Sequence, residues 1–125
     1  MKQTVVGVLL CSALALAGCA GVTTLHEADN GRAIALNVGD ALVVLLHGNA
    51  STGYVWLRTG TLDVATLSPA SEGTYQSDGT APGSPGTFAF RYLATAPGRT
   101  TLDLVYKRPW ESEILSAFSV TVVVH

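Results

Sequence analysis

Short apolar, β-branched runs recur roughly every ten to fifteen residues from about residue 33 onward, each separated from the next by Gly, Pro, Asn, Asp or Ser. This punctuation leaves no room for long helices. No stretch shows a sustained i, i+3, i+4, i+7 apolar pattern apart from the first twenty residues. The runs are read as strands over 33–37, 41–47, 54–58, 73–77, 87–95, 99–107 and 114–124, with a weak first strand near Leu25. Period-two alternation is clearest where Phe88, Phe90 and Tyr92 share one face, with Thr87, Ala89 and Arg91 opposite. Leu102, Leu104 and Tyr106 share a face in the same way, as do Phe118, Val120, Val122 and Val124. Residues 41–46 are apolar without interruption, as a central strand requires. Asn37-Val38-Gly39-Asp40 and Ala96-Pro97-Gly98 carry turn chemistry, because Pro presets φ and Gly admits positive φ. The pattern predicts an all-β, immunoglobulin-like β-sandwich of about seven to eight antiparallel strands.

The amino-terminal segment stands apart. Lys2 precedes an apolar run, Val5 to Ala17, of the length of a signal-peptide core and short of the ~20 residues of a membrane span. Leu16-Ala17-Gly18-Cys19 resembles the bacterial lipobox, in which the Cys thiol is acylated and the chain is cut just before it. The domain reading is therefore a lipoprotein signal peptide over 1–18, a lipid-anchored tether over 19–30 and a folded domain over 31–125. Ala20 after the Cys, by resemblance to Gram-negative sorting rules, implies an envelope protein in the outer membrane, facing periplasm or cell surface. Of the two cysteines, Cys11 leaves with the signal and Cys19 becomes the anchor, so the folded domain has no disulfide, Cys nucleophile or Cys metal site. Its core alone must hold it. Residues 19–125 suffice for one such core and not two.

Without Lys2, six basic residues face nine acidic ones. No Lys/Arg cluster exists to neutralise phosphates, which argues against nucleic acid. The three histidines, His26, His47 and His125, are scattered, and no H-E-x-x-H or G-x-S-x-G motif occurs. Glu111 and Glu113 read as solvated edge charges. No catalytic residue, metal or cofactor is implied, and the chain is read as a monomer and not an enzyme.

Three turn-forming segments carry the functional reading: Asn49-Ala50-Ser51-Thr52-Gly53-Tyr54, Gly83-Ser84-Pro85-Gly86 and Arg108-Pro109-Trp110. In that order they resemble the three inhibitory loops of chagasin-type inhibitors of papain-like cysteine proteases. Those loops are an Asn-Pro-Thr-Thr-Gly-aromatic loop, a Gly-x-Gly-Gly loop and an Arg-Pro-Trp loop. The resemblance covers roughly residues 30–125. It implies a wedge of three loops at one end of the sandwich that fills the protease cleft reversibly and without covalent chemistry. Ser51 and Thr52 would approach the enzyme's Cys–His pair. Asn49 would brace its own loop as an Asx turn, and Gly53 would supply a positive-φ turn into Tyr54. Trp110 would be the energetic anchor, stiffened by Pro109, with Arg108 bonding or stacking on the enzyme. Trp56 reads as core.

The chain departs from that pattern at Ala50, Ser51 and Pro85. Losing Pro at position 50 loosens the free loop by roughly 0.4–1 kcal/mol. Pro85 has no N–H and cannot take positive φ, which impairs a backbone contact there. Residues 73–85, rich in Gly, Ser, Thr and Pro, favour a mobile loop. The alternative function is a non-inhibitory immunoglobulin-like envelope module that binds a protein or adds structure.

Overall fold

Alternating β-branched and aromatic residues bury one face of each strand, and the two resulting faces close on each other. The structure is a computed structural model that describes residues 20–125. Eight strands form: β1 Val22–Leu25, β2 Ala33–Leu36, β3 Ala41–Gly48, β4 Val55–Thr59, β5 Leu67–Ser77, β6 Gly86–Ala94, β7 Gly98–Lys107 and β8 Ser116–Val124. Short 3-10 turns lie at Glu27–Asp29 and Ala50–Thr52. One sheet has the order β1-β3-β6-β5 and the other β2-β8-β7-β4. Leu42, Val44, Leu46, Phe88, Phe90 and Tyr92 from the first sheet meet Leu102, Leu104, Phe118, Val120 and Val122 from the second. Each such side chain contributes about 1.5–3 kcal/mol when fully buried.

Several strand expectations are corrected. Two pairings are parallel, β1 with β3 and β2 with β8. A tight hairpin enforces antiparallel pairing only within one sheet. The 3-10 turn Glu27–Asp29 instead carries the chain from one sheet to the other, so β1 and β2 both join distant partners. The stretch 19–30 is not simply a tether: β1 lies in the sheet and Leu25 is buried in the core. The fifth strand starts at Leu67 rather than Gly73, because register shifts between Pro69 and Ser71 and between Glu72 and Thr74 break its alternation. Ile114 and Leu115 precede β8 and are exposed, so the last strand is shorter than its apolar run. The signal peptide over 1–18 and Cys19 lie outside the described residues.

The sheets are also tied at an edge. Arg58 on β4 donates from Nε to Glu72 Oε2 on β5 at 2.6 Å, and the Tyr92 hydroxyl donates to the same oxygen at 2.7 Å. Burial and the Glu72 carboxylate push the Tyr92 phenol far up, so it remains a donor. The strand ends then sort by pole. Gly48, Gly86 and Ser77 are register partners at one end of the first sheet. Val55 with Lys107, and Tyr106 with Ser116, mark the same end of the second. The β3–β4, β5–β6 and β7–β8 connections therefore leave from one rim.

Candidate functional site

The first loop is built around Asn49. Its Oδ1 accepts from the Ser51 amide at 3.1 Å and the Ser51 hydroxyl at 2.6 Å, giving the Asx-type brace. The Asn49 carbonyl accepts from Thr52 N at 3.2 Å and Thr52 Oγ1 at 2.6 Å. Gly53 N donates to Ala50 O at 3.1 Å, and Gly53 takes φ 86° to turn the chain into β4. Ala50 packs inward against the core while Ser51 and Thr52 are exposed at the tip. These bonds hold the turn that Pro would otherwise preset at position 50.

Aromatic residues root this loop in the sandwich. Asn49 N donates to the Tyr106 hydroxyl at 2.8 Å. Tyr54 stacks on Tyr106 with centroids 5.4 Å apart, and Trp56 packs against the same ring at 5.2 Å. Trp56 is buried and donates from Nε1 to His47 O at 2.9 Å. Gly48 is required here, since a Cβ would lie 2.7 Å from Phe88 and 2.9 Å from Tyr106.

The second loop is closed by Asp78 N to Pro85 O at 2.8 Å and Ser84 N to Ala81 O at 3.2 Å. Residues 73–77 belong to β5, as the strand reading has it, and the loop that follows is hydrogen-bonded. Gly83 O accepts from Asn49 Nδ2 at 2.9 Å, and Ser84 O accepts from the Tyr75 hydroxyl at 3.3 Å. Gly83 has φ 81°, with open space beside it. Gly86 differs from the rest of its motif. It is buried in β6, where a Cβ would come within 2.3 Å of Gln76 O. It lets β5 and β6 approach and is not a surface residue.

The third loop crosses onto the first. Arg108 Nε donates to Thr52 O at 3.0 Å, and its guanidinium lies 4.5 Å from the Tyr54 ring centroid. Glu111 N donates to Arg108 O at 3.0 Å, which turns the chain after Trp110, and the Glu111 carboxylate lies 3.6 Å from Arg108. Pro109 is exposed. Trp110 is 71% exposed, yet its ring edge rests on Gly53, where a Cβ would meet Cη2 at 2.8 Å. The ring neither folds over the sandwich end nor floats free. It stands upright on a glycine platform. Ile114 and Leu115 add apolar surface to this loop, and Leu115 N donates to Tyr106 O at 2.9 Å.

Asn49, Gly83, Thr52, Gly53, Arg108 and Trp110 are thus linked directly across three loops. Sequence reasoning missed Tyr106 and Tyr75, which brace the rim from below. A Tyr at the rim end of an apolar strand face was the available signal, because a half-buried phenol needs a hydrogen-bond partner. Among the described residues no group of three or more His, Cys, Asp or Glu could hold a metal, and no pocket opens at the rim. The rim offers exposed hydroxyls, backbone and an indole ring. That is recognition chemistry.

Comparison with known proteins agrees with this geometry. Residues 35–122 match the family described as Chagasin family peptidase inhibitor I42. Amoebiasin-2 of Entamoeba histolytica is 30% identical over 129 residues, covering 99% of this chain and 99% of its own. The crystal structure of a cysteine protease inhibitor from Entamoeba histolytica superposes with a TM-score of 0.75 at 25% identity, over 84% of this chain and 96% of that one. The ICP of Leishmania mexicana superposes with a TM-score of 0.61 at 27% identity, over 78% and 90% of the two chains. The expected immunoglobulin-like sandwich is the fold observed, and the chain belongs to the chagasin family of peptidase inhibitors.

Proposed function

We propose that this chain is a reversible, non-covalent inhibitor of papain-like cysteine proteases that fills the enzyme's active-site cleft with its three-loop rim. One observation carries the reading: the loops brace one another before any partner arrives. Asn49 reaches Gly83 and Arg108 reaches Thr52, at 2.9 and 3.0 Å. A surface held in its bound form loses little conformational entropy on docking, so more of its contact energy appears as affinity. Family membership favours inhibition over a non-inhibitory surface module.

Ser51 and Thr52 enter the cleft at the catalytic pair. The backbone there forms a closed 3-10 turn, with Thr52 N on Asn49 O and Gly53 N on Ala50 O. A substrate backbone lies extended in a protease cleft, so this turn occupies the site without offering a bond in cleavable geometry. Trp110 supplies the anchor beside it, with Arg108 and Pro109 fixing its base. Gly83, Ser84 and Pro85 form the second flank, where contact is made without a Pro85 N–H. The chain acts as a ligand of the enzyme and performs no catalysis. It works as a monomer.

The envelope location is part of the proposal. Leu16-Ala17-Gly18-Cys19 is read as an acylation signal, with the mature chain beginning at a lipidated Cys19 in the outer membrane. The direct test is to titrate residues 20–125 against papain. Stoichiometric loss of activity, regained on dilution, is the expected result, weakened in Thr52→Ala and Trp110→Ala. No inhibition at micromolar concentration of papain or any cathepsin-like enzyme returns the chain to the surface-module reading. Separately, full-length protein should enter the detergent phase and Cys19→Ala should not.

A further inference from the structure

We propose that the pole of the sandwich opposite the three loops is a membrane-apposed face, so that the inhibitory rim points directly away from the bilayer. The inference rests on the reading of Cys19 as the acylated residue and goes beyond it.

The domain begins almost at the anchor. Gly21 N donates to Asp40 Oδ1 at 2.9 Å, and Gly21 O accepts from Ala41 N at 2.9 Å. Only Ala20 separates this fixed point from Cys19, which spans about 7 Å even when extended. A free tether over 19–30 would have allowed about 40 Å. The lipid therefore holds this end of the domain within about 7 Å of the bilayer, and the surface around Gly21 decides the tilt.

The same pole carries exposed aliphatic side chains. Val22 opens β1, Val38 lies in the β2–β3 turn, Val64 in the β4–β5 connection and Leu93 near the end of β6. They are 66%, 49%, 53% and 43% exposed. Val22, Ala41 and Leu93 form one register row across the first sheet. Val38 N donates to His125 O and Gly39 N to Ala94 O, which ties the β2–β3 turn to the end of β8 in one sheet and of β6 in the other. The acidic groups beside them are engaged in hydrogen bonds to the protein's own backbone and hydroxyl donors, although Asp63 remains exposed. Asp40 holds the amides of Gly21 and Asn37, and Asp63 holds Ala65 N and the Thr66 hydroxyl. Exposed valine and leucine, with the neighbouring carboxylates tied to internal donors, match the headgroup–acyl boundary of a bilayer. The occupant of this face is lipid.

The consequence is geometric. All three loops leave from the far pole, separated by the ten residues of β7, or about 30 Å of strand. An anchored inhibitor so oriented presents its rim to proteases arriving from the aqueous side, with no membrane shielding it.

Cysteine arithmetic makes the test clean. In the acylated chain Cys11 has left with the signal and the Cys19 sulfur is in thioether linkage, so one introduced thiol is the single labelling point. Full-length Val38→Cys, Val64→Cys, Asp78→Cys and Thr80→Cys are purified, checked for acylation by intact mass and labelled with an environment-sensitive fluorophore. They are then placed in phosphatidylethanolamine–phosphatidylglycerol vesicles carrying a spin-labelled lipid quencher. At positions 38 and 64 quenching should exceed that at 78 and 80 by about twofold or more, because the poles lie about 30 Å apart. Acylated protein with equal quenching at both poles, or more at the rim, overturns the orientation alone. Absence of the acyl mass overturns the lipid reading and the orientation with it.

Discussion

Gly53 and Gly31 share a φ of 86° and differ in what surrounds them. A Cβ at Gly31 meets nothing within 4 Å, whereas one at Gly53 lies 2.8 Å from Trp110 Cη2 and 3.3 Å from Cζ2. Alanine at either site occupies left-handed backbone at a cost of about 1–2 kcal/mol. Each substitution should therefore lower Tm by several degrees, since ~1 kcal/mol shifts a domain of this size by about 4–8 °C. Only Gly53→Ala also displaces the indole, by at least the shortfall from 3.4 Å, where ordinary contact begins. The ring is exposed, so it moves at little cost to folding. It then no longer stands where the rim needs it. Inhibition of papain by Gly53→Ala should weaken at least tenfold, or ~1.4 kcal/mol, while Gly31→Ala inhibits like the unaltered protein. Thermal unfolding and inhibitor titration of the two variants together decide the matter. Equal inhibition by both, with equal loss of Tm, would refute the claim that Gly53 is the platform for Trp110.

Three further outcomes follow from the same contacts. Trp110→Ala should raise Ki by about thirtyfold, the equivalent of ~2 kcal/mol at a hot spot, and leave Tm nearly unchanged because the ring is mostly exposed; a large fall in Tm would mean the ring is structural. Tyr106→Phe removes the acceptor of Asn49 N and should cost about 1 kcal/mol in urea unfolding, with weakened inhibition from a loosened first loop; unchanged values of both would deny Tyr106 its bracing role. Amide donors from Asn37 and Gly21 hold the Asp40 carboxyl below its usual range, and the His26 amide and then Arg32 do the same for Asp29. A folded pKa below the unfolded one gives stability that is present above about pH 4 and is lost as the pH falls through the lowered values. The decline of Tm with acid should accordingly be shallower in Asp40→Asn, and an unaltered slope would remove Asp40 from that account.

What the chain revealed before its structure was known depended on whether the information was local. The alternation of Phe88, Phe90 and Tyr92 and the unbroken apolar run of 41–46 predict buried faces correctly, because side-chain period and burial are coupled within one strand. The first half of β5 was hidden, since Pro69 lacks an N–H and the bulged register shifts each disrupt alternation. Parallel pairing of β1 and β2 was hidden too, because no local pattern states which distant strand an edge strand will join. At the rim the loop chemistry of Asn49 and Gly53 was legible as an Asx turn and a positive-φ glycine. The bonds that join the loops, Asn49 to Gly83 and Arg108 to Thr52, span 34 and 56 residues and leave no local trace. Gly86 carried the right letter for a loop motif but serves close strand approach, a distinction visible only once Gln76 O is seen beside it.

The central claim is that the rim occupies the protease groove bodily. Alkylation of papain's catalytic cysteine by iodoacetamide tests it most directly. One equivalent of residues 20–125 should protect that thiol nearly completely, and dilution should return active, unmodified enzyme. Alkylation at the rate of free papain, despite saturating protein, would contradict the account.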